Sequence, residues 1–157
     1  MKKKIIAMIG TFVLSLGIIS MIPMEMVQAR ETTNVDGSVL LDDAEESTGQ
    51  TLPETRGQYL QTGSSRIVKS GTGKITVGGT TIAQKQVASI KISVIVERLV
   101  NGNWVSYTSW SASKNNTYSI STSKTLAVPR GYYYRVISIH DANSDRSTSN
   151  TDALYVS

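Results

Sequence analysis

The stretch IKISVIVERLVNGNWVSYTSW (90–110) carries the strongest structural signal in this chain. Apolar residues alternate with other residues before Asn101-Gly102, and β-branched and aromatic residues follow it. Asn-Gly is the dipeptide that best tolerates the positive φ angles of a two-residue type I′ turn, so the stretch predicts a β-hairpin. A two-residue turn also sets the register, which predicts that Leu99 pairs with Trp104 and Val96 with Tyr107.

This register assigns every side chain of the hairpin to one face of the sheet. The side that carries Ile90, Ile92, Val94 and Val96 is predicted to face the core, because it is continuously apolar. The opposite side would then carry a candidate ligand-binding stripe that consists of Trp104, Ser106, Thr108 and Trp110. Exposed indoles separated by polar residues could stack on sugars or contact an apolar partner. The alternative is a β-bulge or a one-residue slip, which would return one tryptophan to the core.

The same texture extends over residues 57–157. Short runs of Val, Ile, Thr and Tyr alternate with clusters of Gly, Asn and Ser, and no stretch keeps a helical period. Strands are predicted near 58–61, 65–69, 74–82, 89–99, 104–111, 117–127, 132–140 and 152–156. Seven or eight such strands predict an all-β domain, an antiparallel sandwich of two sheets like that of immunoglobulin and fibronectin type III modules. One sheet closed on itself is the alternative.

The first 29 residues have the composition of a secretory signal peptide. Lys2, Lys3 and Lys4 precede an apolar run from Ile5 to Met24, and small residues at Val27 and Ala29 predict cleavage after Ala29. Retention of the same segment as a membrane anchor is the alternative, because about 20 apolar residues can span a bilayer. Both readings place the remainder of the chain outside the cytoplasm, and cleavage would leave it without a transmembrane anchor.

Residues 30–56 form an acidic arm in front of a basic body. Two arginines stand against seven carboxylates in this segment, a net charge of −5, whereas residues 57–157 carry eleven basic and four acidic residues, a net charge of +7. Only Val39-Leu40-Leu41 is apolar, so the arm is predicted to be a disordered linker, either a spacer or a pro-segment. The basic body would attract anionic polymers.

The stretch GYYYRVISIH (131–140) holds three tyrosines and the only histidine of the chain. Because Arg135 is costly to bury unpaired, the alternation predicts that Tyr132, Tyr134 and His140 face the core. A tyrosine at the start of the penultimate strand of a sandwich often forms a tyrosine corner, in which its hydroxyl binds a backbone group. Tyr132 or Tyr134 is predicted to fill this role, and His140 to be structural.

The composition excludes several chemistries. The chain has no cysteine, which rules out disulfides, thiol catalysis and thiolate metal sites. One histidine provides no histidine pair for zinc, no G-x-S-x-G nucleophile motif is present, and 141–152 lacks the spacing of an EF-hand loop. Gly78-Gly79 is no phosphate loop and is interpreted as a turn or bulge. We therefore expect no enzyme activity, no cofactor and no metal, and we expect no nucleic acid as a partner.

The segment from Arg56 to Ser157 resembles a domain of unknown function found in small secreted proteins of Gram-positive bacteria. The resemblance rests on RGQYLQTG (56–63), GGTTIA (78–83), VIVERLVNGNWVSYTSW (94–110), YYYRVISIH (132–140) and LYVS (154–157). It implies export and a signal–spacer–domain architecture, and it implies no activity.

Together these features predict a secreted, non-catalytic protein that binds a ligand at the cell surface. A carbohydrate or an anionic wall polymer is the expected partner, because the body is basic and an aromatic stripe is expected. A small secreted effector that acts on neighbouring cells, with the acidic arm as its shield, is the alternative. An enzyme would require His140 to lie exposed beside a carboxylate or a serine.

Overall fold

The computed structural model of the chain describes residues 32–52 and 57–157. Strands account for the regular structure of this part, and it contains no helix, which confirms the predicted all-β class. The predicted signal peptide, 1–29, lies outside the described residues. The strands are β1 (Asn34–Val35), β2 (Ser38–Leu41), β3 (Glu46–Gln50), β4 (Leu60–Gly71), β5 (Lys74–Val100), β6 (Asn103–Ala127), β7 (Tyr132–Ala142), β8 (Asp145–Asn150) and β9 (Ala153–Val156).

The strands form one curled, mixed sheet, in place of the fully antiparallel pair of sheets that the sequence predicted. Its hydrogen-bonded order is β1-β2-β9-β7-β5-β4-β3, while β6 pairs with β5 and β8 pairs with β7. β2 runs parallel to β9, and the other pairs are antiparallel. β5 is long enough to pair with β4 along one half and with β7 along the other, so its hydrogen bonds connect these strands into one sheet.

β5 and β6 are each continuous where the sequence predicted two strands. The polar residues Gln84, Lys85 and Gln86 are exposed and therefore resemble a loop in the sequence, yet the backbone remains extended through them. Between Ile82 and Val87 the register shifts, so that four residues of β5 lie opposite Tyr118 alone. Such an irregularity bends a strand pair. The bend allows both halves of the hairpin to contribute to a single core.

The core consists of the inward side chains of both halves of β5 and of the strands that flank them. Alternation places Ile75 and Val77 of the first half in the same buried cluster as Ile92 and Val94 of the second half. Gly79 lies where these two halves approach, because a Cβ at this position would stand 2.9 Å from Ile92 Cδ1 and 2.3 Å from Ser64 O. The register is continuous through Gly78 and Gly79, so the predicted turn or bulge is absent there.

The structure corrects the prediction of a disordered linker over residues 30–56. Within its described part, 32–52, the chain forms β1, β2 and β3, and these strands pair with each other or with the body. Residues 30, 31 and 53–56 lie outside the described residues. Leu41 and Ala44 pack against the core. The composition of the segment did not indicate that it forms strands, because the strands that pair with it, β4 and β9, lie elsewhere in the sequence.

The β1–β2 hairpin turns at Asp36-Gly37, where both residues have positive φ, 47° and 78°. Asp-Gly is a type I′ signal of the same kind as Asn101-Gly102, so the sequence does contain a local indication of this hairpin. Contacts from the body hold it in place. Ser38 Oγ donates to Thr151 O at 2.9 Å, and the backbone N–H of Val39 donates to Asp152 Oδ1 at 2.9 Å.

Candidate functional site

Trp104 lies on the outer face of the hairpin, as predicted, but it is not a free platform. It pairs with Leu99 in the expected register, and its Nε1 donates to Val35 O of the β1–β2 hairpin at 3.1 Å. The Arg135 guanidinium lies 4.2 Å from the ring centroid, a cation–π distance. Arg135 is itself buried and paired with Glu97, Nε to Oε2 at 2.7 Å. The indole therefore serves to anchor the N-terminal hairpin.

Trp110 lies on the opposite face from Trp104, which corrects the predicted stripe. The register shifts between Val96 and Glu97, so Val96 pairs with Thr108 and the expected partner, Tyr107, is the extra residue of a bulge. Beyond this bulge every side chain of β6 changes face. Trp110 consequently pairs with the buried Val94, packs against the core and donates from Nε1 to Thr122 Oγ1 at 3.0 Å.

The four residues of the predicted stripe are thus divided between two faces. Trp104 and Ser106 lie on the outer face, whereas Thr108 and Trp110 lie on the inner face. The sequence could not decide this point, because a bulge within a strand, here a few residues beyond the Asn101-Gly102 turn, has no local signature as strong as that of the turn.

Tyr134 has the contact that a tyrosine corner requires. Its ring is fully buried and its hydroxyl donates to Pro129 O, five residues upstream, at 2.7 Å. Burial raises the pKa of this phenol. Tyr132 is half-buried, and its ring lies 4.5 Å from the Arg98 guanidinium. Both tyrosines therefore close the end of the core near the 128–131 turn.

His140 is completely buried in a chain of hydroxyl groups. Its Nδ1 lies 2.8 Å from Thr81 Oγ1, and its Nε2 lies 2.8 Å from Ser149 Oγ, which contacts Ser65 Oγ at 2.6 Å. Burial lowers the pKa of His140 to about 4, although the charge of Asp141 acts in the opposite direction. The ring is neutral at physiological pH and faces Gly63, where a Cβ would stand 2.3 Å from it. This geometry assigns His140 a structural role.

A concavity lies on the outer face of β3, β4, the first half of β5 and the second half of β6. It is a groove of about 400 Å³, within the range of about 300–1,000 Å³ that is usual for ligand sites. We call it the hydroxyl groove, because six hydroxyl side chains of this face line it: Thr48, Ser64, Thr76, Thr80, Ser121 and Ser123.

The strand register produces the hydroxyl groove. Ile75 and Val77 face the core, so the alternate residues of β5, Thr76, Gly78 and Thr80, face outward. One row of paired residues crosses the four strands as Thr48, Arg66, Gly78 and Ser123. Gly78 lies in this row between two side chains and has none of its own, and this absence forms the depression.

Gly78 cannot be replaced without movement of the backbone. A Cβ there would stand 2.2 Å from Thr122 O and 2.8 Å from Ser123 Cα, so β6 approaches too closely for any side chain. Thr80 Oγ1 lies 2.8 Å from Ser121 Oγ across the same strand pair, and Thr76 Oγ1 lies 2.9 Å from Thr125 Oγ1. Each hydroxyl both donates and accepts, so these pairs retain capacity for a ligand.

Sequence reasoning missed this site, although two weak signals for it are present. VGGTTI (77–82) and SISTSKT (119–125) place a hydroxyl residue or glycine at alternate positions, which indicates a polar outer face. Pairing between strands that are distant in sequence brings these faces together with Thr48 and Ser64. The amino-acid pattern alone does not specify that arrangement.

Other kinds of site are absent from the described residues. Over 32–52 and 57–157, no group of three or more His, Asp or Glu side chains is placed to hold a metal ion. The same part of the chain contains no helix long and apolar enough to cross a membrane.

These observations define an all-β protein with one curled sheet, a structural histidine and an open groove of hydroxyl side chains. The chain belongs to a family of unknown function, DUF6147, whose model matches residues 27–155. The match includes the acidic arm, which agrees with its incorporation into the sheet. No curated protein matches the chain.

Proposed function

We propose that this protein is a secreted, non-catalytic binding protein whose ligand, a polyhydroxylated carbohydrate polymer, occupies the hydroxyl groove. The observation that carries the proposal is the groove itself: a concave surface of six hydroxyl side chains around a glycine floor. Sugar hydroxyls require partners that both donate and accept, and serine and threonine meet this requirement. The groove is open at the surface, as the binding of a polymer requires.

Two further observations support this role. The first 29 residues have the composition of a secretory signal, so the proposed ligand is extracellular. His140, the residue on which a catalytic hypothesis would depend, is buried and hydrogen-bonded at both ring nitrogens. The groove replaces Trp104 and Trp110 as the proposed surface, since the two indoles lie on opposite faces.

The alternative of an effector with a removable acidic shield is not favoured by the structure. Strand β3 pairs with β4 over five residues, and β2 pairs with β9. Cleavage near Gly57 would therefore remove strands from the sheet and leave their partners exposed, instead of uncovering a finished surface.

The experiment fills the groove and measures binding. Ser123→Trp places a large side chain beside Gly78, and Ser113→Trp on the same strand is the matched control, because Ser113 is also exposed and lies outside the groove. The mature chain, residues 30–157, is titrated with a neutral glucan, a polyuronate and a glycerol-phosphate polymer. We expect Ser123→Trp to weaken binding at least tenfold and Ser113→Trp to leave it unchanged.

Thermal unfolding of both variants checks that they are folded. Equal binding by wild type and Ser123→Trp, with both proteins folded, would show that the groove is not the site. The absence of binding to all three polymers would contradict the proposed ligand class.

A further inference from the structure

The hydroxyl groove contains one charged side chain among its lining residues in the described part of the chain, that of Arg66. Arg66 pairs with Thr48 on one side and with Gly78 on the other, so it lies in the central row of the groove. Its side chain is 60% exposed, and it is therefore accessible to a ligand in the groove.

Arg66 is engaged by a carboxylate that can be exchanged. Glu46, on the neighbouring strand β3, pairs with Val68 and reaches back to place Oε2 2.5 Å from Arg66 Nη2. The Glu46 side chain is 57% exposed. Ion pairs this exposed contribute little to stability, because water screens them and both long side chains lose freedom. Replacement of Glu46 by another anion therefore costs the fold almost nothing.

We infer that Arg66 is an anion-binding residue of the hydroxyl groove, and that a carboxylate or phosphate of the bound polymer displaces Glu46 from it. The inference rests on the proposed function, because it names the ligand of the same groove as an anionic polyhydroxylated polymer. The hydroxyl side chains would bind neutral sugar groups, and Arg66 would select for charge.

The chemistry of arginine suits this role. Its planar guanidinium presents parallel N–H donors that match two oxygens of a carboxylate or a phosphate, whereas lysine offers a point charge. The nearby Lys69 is already engaged, since its Nζ donates to Asp42 O at 3.1 Å and lies 3.9 Å from Glu45 Oε1. The net charge of +7 over residues 57–157 would attract such a polymer from a distance.

The test removes the competing carboxylate and, separately, the cation. Glu46→Gln is expected to tighten binding of a polyuronate or a glycerol-phosphate polymer at least threefold, with no change for a neutral glucan. Glu45→Gln is the matched control, because it makes the same change in net charge one residue away. Arg66→Gln is expected to weaken binding of the anionic polymer at least tenfold, and Arg146→Gln, which removes a different exposed arginine of the body, is expected to have no such effect.

The outcomes separate this inference from the proposed function. Equal affinity for neutral and anionic polymers, unchanged by Arg66→Gln, would overturn the inference and leave the groove as a carbohydrate site. Equal gains from Glu46→Gln and Glu45→Gln would also overturn it, because net charge alone would then explain the effect. Loss of binding to all polymers with Ser123→Trp would support the groove as the binding site. If Glu46→Gln and Arg66→Gln also change the affinity for anionic polymers only, the role of Arg66 is supported as well. Comparison of the polyuronate with the glycerol-phosphate polymer identifies which anion Arg66 prefers.

Discussion

The buried histidine makes the stability of the protein depend on pH in a specific way. His140 is completely buried, and burial lowers its pKa from 6.5 to about 4 in the folded state. The unfolded chain binds a proton on this ring below about pH 6.5, whereas the folded chain does not until about pH 4. The free energy of unfolding therefore falls as the pH decreases from 6.5 to 4, and below that range the contribution is constant.

The size of this effect follows from the two pKa values. A tenfold change in proton affinity corresponds to about 1.4 kcal/mol, so the difference between 6.5 and about 4 amounts to roughly 3 kcal/mol. That is a large part of the free energy of unfolding of a typical domain, which is roughly 5–15 kcal/mol. Acidification should thus destabilise the protein strongly before most of its carboxylates are protonated.

The assay is urea unfolding at several pH values between 7.5 and 4, with wild type and His140→Gln measured in parallel. The variant is expected to be less stable at pH 7.5, because the contacts with Thr81 and Ser149 are altered. On acidification, however, the free energy of unfolding of the variant should fall by about 2–3 kcal/mol less than that of wild type. Carboxylates titrate in both proteins and cancel in the difference. Parallel stability curves for the two proteins between pH 6.5 and 4.5 would refute the reasoning.

Three further predictions concern the fold. Tyr134→Phe should lower the free energy of unfolding by about 1 kcal/mol, because Pro129 O loses its donor; an unchanged urea midpoint would contradict this. Gly63→Ala should cost about 1–3 kcal/mol, because its Cβ would collide with the His140 ring; wild-type thermal stability would show that the ring moves freely. Deletion of residues 32–52 should abolish the cooperative unfolding transition, as measured by circular dichroism. A sharp transition in the deletion variant would instead show that residues 57–157 fold without these strands.

Local chemistry was sufficient to predict the hairpin and the inward face of β5. Asn101-Gly102 determined the turn, and the pairing of Leu99 with Trp104 follows from it. The inward positions Ile90, Ile92, Val94 and Val96 are all buried. These features depend only on alternation and on turn geometry, which residues close in the sequence specify completely.

The candidate site could not be predicted in the same way. A single extra residue at Tyr107 moved Trp110 from the outer face to the core, and no short sequence pattern requires a bulge at that position. The hydroxyl groove needs four strands in register around Gly78, and these strands come from segments as distant as Thr48 and Ser123. Pairing over such separations is decided by the packing of the whole sheet.

Turn residues and a two-residue period act locally, so the amino-acid pattern alone was enough to predict the all-β class, the Asn101-Gly102 hairpin and the burial of Tyr134. Three features became visible only in the folded chain: the acidic arm joins the sheet, the two tryptophans lie on opposite faces, and hydroxyl side chains gather around Gly78. The tryptophans separate because of the bulge at Tyr107, whereas the arm and the groove depend on which strands pair. A polar segment is stable as a strand only when another strand supplies backbone hydrogen bonds and the core supplies apolar contacts. The sequence does not specify which distant strand that is.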